Sequence, residues 1–393
     1  MTVAYCNEYL RNTTDDVLAE RGVSEDLKSK IHTYRAEVKA IRAMKYYYLM
    51  DLYANTAFIL EDAPVGTYPE QRGRDFLFPW IESELLAVEG QLPVKSTLNY
   101  GKVNNPVIWT VLAKMYLNAE VYIGQNKYTQ AITYLNKVID AGYTLDPVYK
   151  NMFGADNDLS PEMIFPVIFD GKRATCYGGT MYLMAASYGS DMDPGTNFGL
   201  QASWSGLRAK ETLSTLFADG DKRALFWTDK RTLETSSLYD FTSGYSVIKY
   251  TNLKSDGTPG SDTQFPDTDF PMYRLADVYL MYAEAVLRGG AGGDRATALG
   301  YVNQLRDRAN ASRLTDSQLT LNFLIEERSR ELYWEAHRRT DLIRFNMFTA
   351  NHRWPWKNGV FLGTANISDI YKIFPIPATE IAANPNIKQN TGY

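Results

Sequence analysis

The chain has 393 residues, 45% of them hydrophobic, and a formal charge of −5. That is enough apolar material for a large core in one or two domains, and too much for a disordered chain. The sequence has no basic patch of the size nucleic acid requires, and no run of about 18 apolar residues that would predict a membrane-spanning helix.

Met1 to Leu10 has neither the basic start nor the apolar run of a signal peptide. From 29 to 59, Ile31, Tyr34, Val38, Ile41, Met44, Tyr48 and Leu52 recur at three- and four-residue steps, which predicts a long helix. Pro64 and Gly66 open a loop to about Arg74. A second helix follows over 76–89, with Phe76, Trp80, Leu85 and Leu86 as its apolar positions. Residues 106–141 read as a tetratricopeptide-like helix pair: Trp109, Leu112, Ala113 and Tyr116 in the first helix, Ala131, Leu135 and Val138 in the second. Helical periodicity then fades over 142–270, where Gly, Asp, Ser, Thr and Pro rise. EMIFPVIFDG predicts a short extended run ending in a turn, LRAKETLSTLF a short helix, and SVIKYTNL a strand. Residues 272–309 restore the helix-pair pattern through Leu275, Tyr279, Tyr282 and Ala283, then Ala298, Val302 and Leu305. Gly289 to Gly293 makes the turn, and Asp294 stands at a helix N-cap position. The last unit begins near Leu319.

The segment LNFLIEERSRELYWEAHRRTDLIRFN (Leu321 to Asn346) carries the sharpest signal. At helical spacing Leu321, Leu324, Ile325, Leu332 and Ala336 share a stripe with Arg328 and Glu335. Charges on a buried stripe must be paired. An internal ion network is expected from among Arg328, Glu331, Glu335, Arg338, Arg339, Asp341 and Arg344. Carboxylates flanked by so many arginines stay ionised, which suits a structural lock better than a general acid.

ERSRELYWEAHRRTDLIRFN also resembles the C-terminal signature of the SusD/RagB-like proteins, surface glycan-binding lipoproteins of Bacteroidetes. It departs from the pattern at Ala336-His337, where that family usually has a glycine. YRLADVYLMYAEAVLRGG with ALGYVNQLRDRAN (Tyr273 to Asn310) is similar to the preceding helix pair. IFPIPATEIAANPNIKQNTGY (Ile373 to Tyr393) is similar to the C-terminus, with Ile376-Pro377 and Asn384-Pro385 as fixed points. EVKAIRAMKYYYLMDLYANTAFI (Glu37 to Ile59) resembles the first helical hairpin. ASWSGLRAKETLSTLFADGDKRALFW resembles a further segment, in which Asp221 and Arg223 match a recurring Asp-x-Arg pair.

The expected fold is therefore mainly α. It is a superhelix of about four tetratricopeptide-like helix pairs in a single SusD-like domain spanning 1–393, with 29–141 and 271–350 as scaffold. A loop-rich insert over 142–270 contains short strands, and 351–393 is a C-terminal extension packing on the scaffold. The resemblance implies binding of oligosaccharide or polysaccharide without catalysis, on the outer face of the outer membrane. It also implies a SusC-like TonB-dependent transporter as partner and an N-terminal lipid anchor. Because the sequence starts close to the first hairpin, the signal, the lipidated cysteine and an N-terminal segment are expected to be missing from it.

Aromatic residues make up 13% of the chain, with 28 tyrosines and 7 tryptophans. A ring with a polar tip suits sugars, whose C–H faces stack and whose hydroxyls need hydrogen bonds. The ring density around 177–204 makes Tyr177, Tyr182, Tyr188 and Trp204 the first candidates for ligand contact, with Trp80, Trp227 and Tyr239 behind them; packing between elements is the competing role for each. Two cysteines, Cys6 and Cys176, are too few for a disulfide framework, and together with the three histidines, His337 and His352 among them, they show no metal-ligand spacing. No cofactor is expected: GGAGGD at 289–294 lacks the strand before it and the Lys-Ser/Thr of a phosphate loop. A helical glycoside hydrolase is the alternative enzyme reading, with Asp156, Asp158, Asp170, Asp191 and Asp193 as loop acids, none expected to have a raised pKa. A tetratricopeptide interaction scaffold is the third reading, and the interruption at 142–270 counts against it.

Overall fold

The structure, a computed structural model, describes residues 1–95 and 100–393. It is mainly helical, with fifteen α-helices and six short strands among the described residues. The backbone divides into two compact units, residues 1–137 with 368–393, and residues 138–367.

In the first unit, α1 (Thr2–Arg11), α2 (Asp15–Glu20) and the long α3 (Glu25–Tyr53) are followed by a two-stranded ribbon, β1 (Thr56–Phe58) with β2 (Glu70–Arg72). Helix α4 (Arg74–Val88) packs back on α3. Then come α5 (Asn105–Leu117), α6 (Ala119–Ile123) and α7 (Tyr128–Ile139), whose last two residues are assigned to the other unit. Asn104 caps α5 by accepting from the Val107 amide, and Pro106 enters at the first turn, where its missing N–H is harmless. Ala113 in α5 is fully buried, and beside it Tyr116 meets Tyr134 of α7 at 5.8 Å, so the α5–α7 pair exists as its periodicity predicted. The C-terminal segment is tied on by side-chain amides: Asn390 donates to the Tyr53 carbonyl at 2.8 Å and Asn384 to that of Pro69 at 2.8 Å, while Ile376 is buried.

In the second unit, β3 (Met163–Val167) leads to α8 (Gly179–Ser187), α9 (Pro194–Phe198) and the single turn α10 (Glu211–Ser214). Strands β4 (Phe226–Trp227) and β5 (Ser246–Val247) pair antiparallel over two residues each. β6 (Phe270–Arg274) pairs antiparallel with β3 across a register shift. The helical part is α11 (Leu275–Leu287), α12 (Arg295–Arg308), α13 (Leu321–Leu332) and α14 (Arg338–Arg344). Asp294 caps α12 as expected, accepting from the Thr297 amide at 2.8 Å.

Two sequence expectations need correction. The strand expected over SVIKYTNL shrinks to Ser246–Val247, because its partner β4 offers only two residues to pair. The continuous helix expected over 321–346 breaks after Leu332. Trp334 and Ala336 both sit in the left-handed region, at φ 63° each, and α14 restarts at Arg338. A non-glycine residue pays about 1–2 kcal/mol for that conformation. Ala336 is exposed and has little packing to lose. We expect Ala336→Gly, the residue the resembling family usually has here, to raise stability by about 0.5–1 kcal/mol after the entropy of a freer unfolded chain is subtracted. A urea midpoint that stays put or falls would contradict the strain argument.

Candidate functional site

The expected ion network exists in the second unit and is larger than the sequence indicated. Arg274 at the end of β6 donates to Glu162 at 2.8 Å, to Glu331 at 2.7 Å and to Glu335 at 2.6 Å. Arg223 donates to Asp221 and Glu327 at 2.8 Å each, so the Asp-x-Arg pair closes on itself and reaches α13. Arg308 from α12 also grips Glu331, and Lys249 reaches Glu335 at 2.6 Å. A second cluster joins Arg328 to Asp277 and Asp341, and Arg344 to Glu284 and Asp341. Arg338 forms no salt bridge with a described residue and donates to the Ile325 carbonyl, and Arg339 lies over the Phe348 ring at 5.5 Å.

Every buried carboxylate that titrates abnormally here is held low. Burial pushes Glu331 up, but Arg308, Arg274 and Arg223 outweigh it. Glu327, Glu335, Glu284 and Asp341 follow the same pattern with their own arginines. Burial pulls Lys249 down to about 8. Carboxylates with depressed pKa values stabilise the fold fully above their unfolded values of about 4, and lose that contribution as pH falls through the folded ones. Thermal melts between pH 7 and pH 3 should therefore show the midpoint flat down to about pH 5 and then dropping steeply. A midpoint unchanged to pH 3 would contradict this. These groups hold the fold, because their charges pair with one another.

The ring cluster lies elsewhere in this unit, around α8. The first residue of the helix, Gly179, has φ +58°, and a Cβ there would sit 2.1 Å from the Phe169 ring, so the position requires glycine. Thr180 anchors the first turn by donating to the Thr268 carbonyl at 2.8 Å. Met181, Met184, Ala185 and Tyr188 form the buried stripe, which leaves Tyr182 on the outer face, 45% exposed. The chain then returns across the C-terminal end of α8. Four successive amides there donate to helix-end carbonyls: Trp204 to Ala185, Ser205 to Tyr188, and Gly206 and Leu207 to Ala186. This clamp fixes Trp204, 44% exposed, with its ring centroid 6.2 Å from that of Tyr182. Tyr177, 59% exposed, precedes the same helix; Phe265 packs edge-on at 5.1 Å and Gln264 donates to its hydroxyl at 3.0 Å.

The other candidates stand apart from this ledge. Tyr188 is fully buried, stacked on Phe198 at 4.4 Å, with its hydroxyl donating to the Tyr250 carbonyl at 2.6 Å. It has no face to offer a ligand, which corrects its place among the contact residues. Trp227 is half-buried against Phe198 at 5.9 Å. Tyr239 is fully exposed on a loop whose carbonyls are held by Arg208. Trp80 belongs to the first unit and packs edge-on against Tyr46 and Phe58 at 5.1 and 4.9 Å.

Of the loop acids, Asp191 is held low by a bidentate pairing with Arg231 at 2.8 and 2.9 Å, and Asp170 by the amides of Lys172 and Arg173. Asp156 is occupied by Ser255, and Asp193 stands in the left-handed region ahead of α9. Asp158 departs from expectation: burial pushes its carboxyl up. Both cysteines are free, Cys6 buried and Cys176 exposed.

Comparison with known proteins settles the family. The SusD family model matches residues 181–393, more than half the chain. The starch-binding protein SusD of Bacteroides thetaiotaomicron is 34% identical over 414 residues, covering 91% of this chain and 72% of that one. This chain belongs to the SusD family. The SusD-like protein P25 of Formosa agariphila is 25% identical, covering 96% of this chain and 76% of its own. Among solved structures, a SusD superfamily protein from Parabacteroides distasonis superposes with a TM-score of 0.78 at 23% identity, covering 100% of this chain and 83% of that one. The surface glycan-binding protein A of Bacteroides thetaiotaomicron in complex with laminarihexaose superposes at 0.73 with 24% identity, covering 98% and 82%. At those identities the structural matches establish the SusD fold.

Proposed function

We propose that this SusD-family chain captures an oligosaccharide or polysaccharide at the outer surface of the outer membrane, without cleaving it, and passes it to a SusC-like TonB-dependent transporter. A lipid anchor would hold it there. The observation that carries the reading is the exposed Tyr182–Trp204 pair on the outer face of α8, with Tyr177 at the start of the same helix. Two rings fixed by helix and clamp present apolar faces for pyranose stacking, and backbone and amide groups beside them serve the hydroxyls. The name of the starch-binding relative supports glycan as the ligand class. Affinity of a water-exposed ledge of this kind falls in the micromolar to millimolar range, about −8 to −4 kcal/mol, which suits a protein that hands its ligand on.

Affinity gel electrophoresis against a purified glycan panel tests this, with reducing ends assayed in the same samples. Retardation without release of reducing ends is the expected result and names the sugar class. Release that disappears on substituting a loop carboxylate such as Asp158 would move the chain to the hydrolase reading. Co-purification with a SusC-like partner tests the delivery step.

A further inference from the structure

A cavity of about 630 Å³ opens in the second unit between the 208–216 segment, α13 and residues 334–354. Its size falls within the range of small-molecule sites. It is separate from the ring ledge: none of Tyr177, Tyr182 or Trp204 lines it.

The walls have two chemistries. Leu213, Leu332 and Leu342 give an aliphatic side, while Trp354 and Phe348, with ring centroids 5.9 Å apart, give an aromatic one. Set into these walls are Lys210 and Arg338, both half-buried, and neither forms a salt bridge with any described residue. The Lys210 ammonium lies 5.8 Å from the Trp354 ring, and Arg338 spends one N–H on the Ile325 carbonyl. The carboxylates around the cavity offset them only in part: Asp341 and Glu326 raise Arg338, and Glu211 raises Lys210, without outweighing burial. Asp341 is consumed by Arg328 and Arg344, and Glu326 is exposed at the rim.

We propose that this cavity binds a small organic anion, a carboxylate carried on a ring, with the carboxylate between Lys210 and Arg338 and the ring against Trp354 and Phe348. A carboxylate is the complement that two partially desolvated, unpaired cations lack, and a guanidinium offers it parallel donors. A ring is the body that fits between aromatic and aliphatic walls. The electrostatics around the cavity agree. Burial pulls Lys210 and Arg338 down, and His352 in the same wall is lowered by burial and then by Arg338 and Lys357. The cavity is thus a positive site whose cations gain by acquiring a counterion. An acidic sugar and an aromatic acid share this chemistry.

The experiment is calorimetric titration of the whole chain with four probes: digalacturonate and its neutral counterpart α-1,4-galactobiose, 1-naphthoate and its neutral counterpart 1-naphthalenemethanol. At least one carboxylate probe should bind, and at least about tenfold more tightly than its neutral partner, the scale of one charge-assisted hydrogen bond. Digalacturonate as the binder assigns the site to acidic sugars, naphthoate to aromatic acids. Lys210→Met should weaken that binding about tenfold, and Glu326→Gln at the rim should strengthen it, a gain that misfolding cannot imitate. The double variant Tyr182→Ala/Trp204→Ala should leave it unchanged, which separates this site from the glycan ledge. Equal binding of a neutral partner, no binding of either carboxylate up to about 10 mM, or a Lys210→Met variant that binds as the parent does would each overturn the proposal.

Discussion

Replacing Arg274 by alanine is expected to cost the second unit about 3–5 kcal/mol, the range for removing one partner from a buried ion pair. The side chain is almost fully buried, and all three of its nitrogens are engaged. Nε donates to Glu335 at 2.6 Å, and Nη1 to Glu162 and Glu331 at 2.8 and 2.7 Å. Nη2 donates to the Glu331 carbonyl and to Glu335 at 2.8 Å each. Alanine leaves three buried carboxylates short of a counterion, and the desolvation already incurred by each goes uncompensated. Glu162 and Glu331 keep Arg308, and Glu335 keeps Lys249, which prevents the loss from being larger still. Against a typical domain stability of about 5–15 kcal/mol, the variant should be marginal or unfolded at 37 °C. Arg274→Lys should recover part of the loss at most, because a single ammonium cannot span carboxylates that the planar guanidinium reaches in three directions. Guanidinium unfolding followed by circular dichroism measures both. A loss below about 1 kcal/mol for the alanine variant would mean the network adds little beyond its own desolvation cost.

The network also shows how far the sequence could be read. Arg328 and Glu331 were visible because α13 is a regular helix and its periodicity is a local property. Glu335 was placed in the network for a reason that fails. It does not continue the helical stripe; it is brought in by an irregular turn with Trp334 and Ala336 left-handed on either side. The same extrapolation takes in Arg338, which forms no salt bridge with a described residue. The partners were invisible, since Glu162, Lys249, Arg274 and Arg308 come from the turn before β3, a loop, the end of β6 and another helix. Only the fold brings them to α13. The helix pairs were legible for the same reason that the two-residue β4–β5 ladder was not: one pattern repeats within a few residues, the other needs a distant partner.

The ring cluster was legible in composition and not in orientation. The run from Tyr177 to Trp204 reads as an aromatic loop, yet it contains α8, whose buried positions Met181, Met184 and Ala185 stand with the C-cap Tyr188 at i, i+3, i+4 and i+7. That spacing, taken as helical, would have placed Tyr188 inside and Tyr182 outside. The clamp that fixes Trp204 had no sequence signal, because it consists of main-chain hydrogen bonds onto the end of a helix.

This geometry sets the second large effect. Tyr182→Ala with Trp204→Ala should weaken glycan binding by about 30- to 100-fold. An aromatic contact contributes about 0.5–1.5 kcal/mol beyond its buried area, and each ring also loses that area. About 2–2.7 kcal/mol for the two is about 30- to 100-fold, which moves a ligand bound near 1 mM beyond detection and a micromolar one as far as about 0.1 mM. Each single variant should lose about tenfold. The pair should be less than additive, because the 6.2 Å between centroids lets one pyranose touch both rings. Tyr188→Phe is the informative control. It keeps the stacking on Phe198 and removes the hydroxyl that donates to the Tyr250 carbonyl, so it should lower stability by about 1–2 kcal/mol while leaving affinity intact. Isothermal titration with the retained glycan and urea unfolding on the same samples separate the two effects. Should the double variant bind as the parent does, the ledge on α8 is not the capture surface. Tyr177, Tyr239 and Trp227 would then be the next rings to remove, in that order of their standing: Tyr177 by its place beside α8, Tyr239 by its exposure, and Trp227 last because half its ring already serves the core.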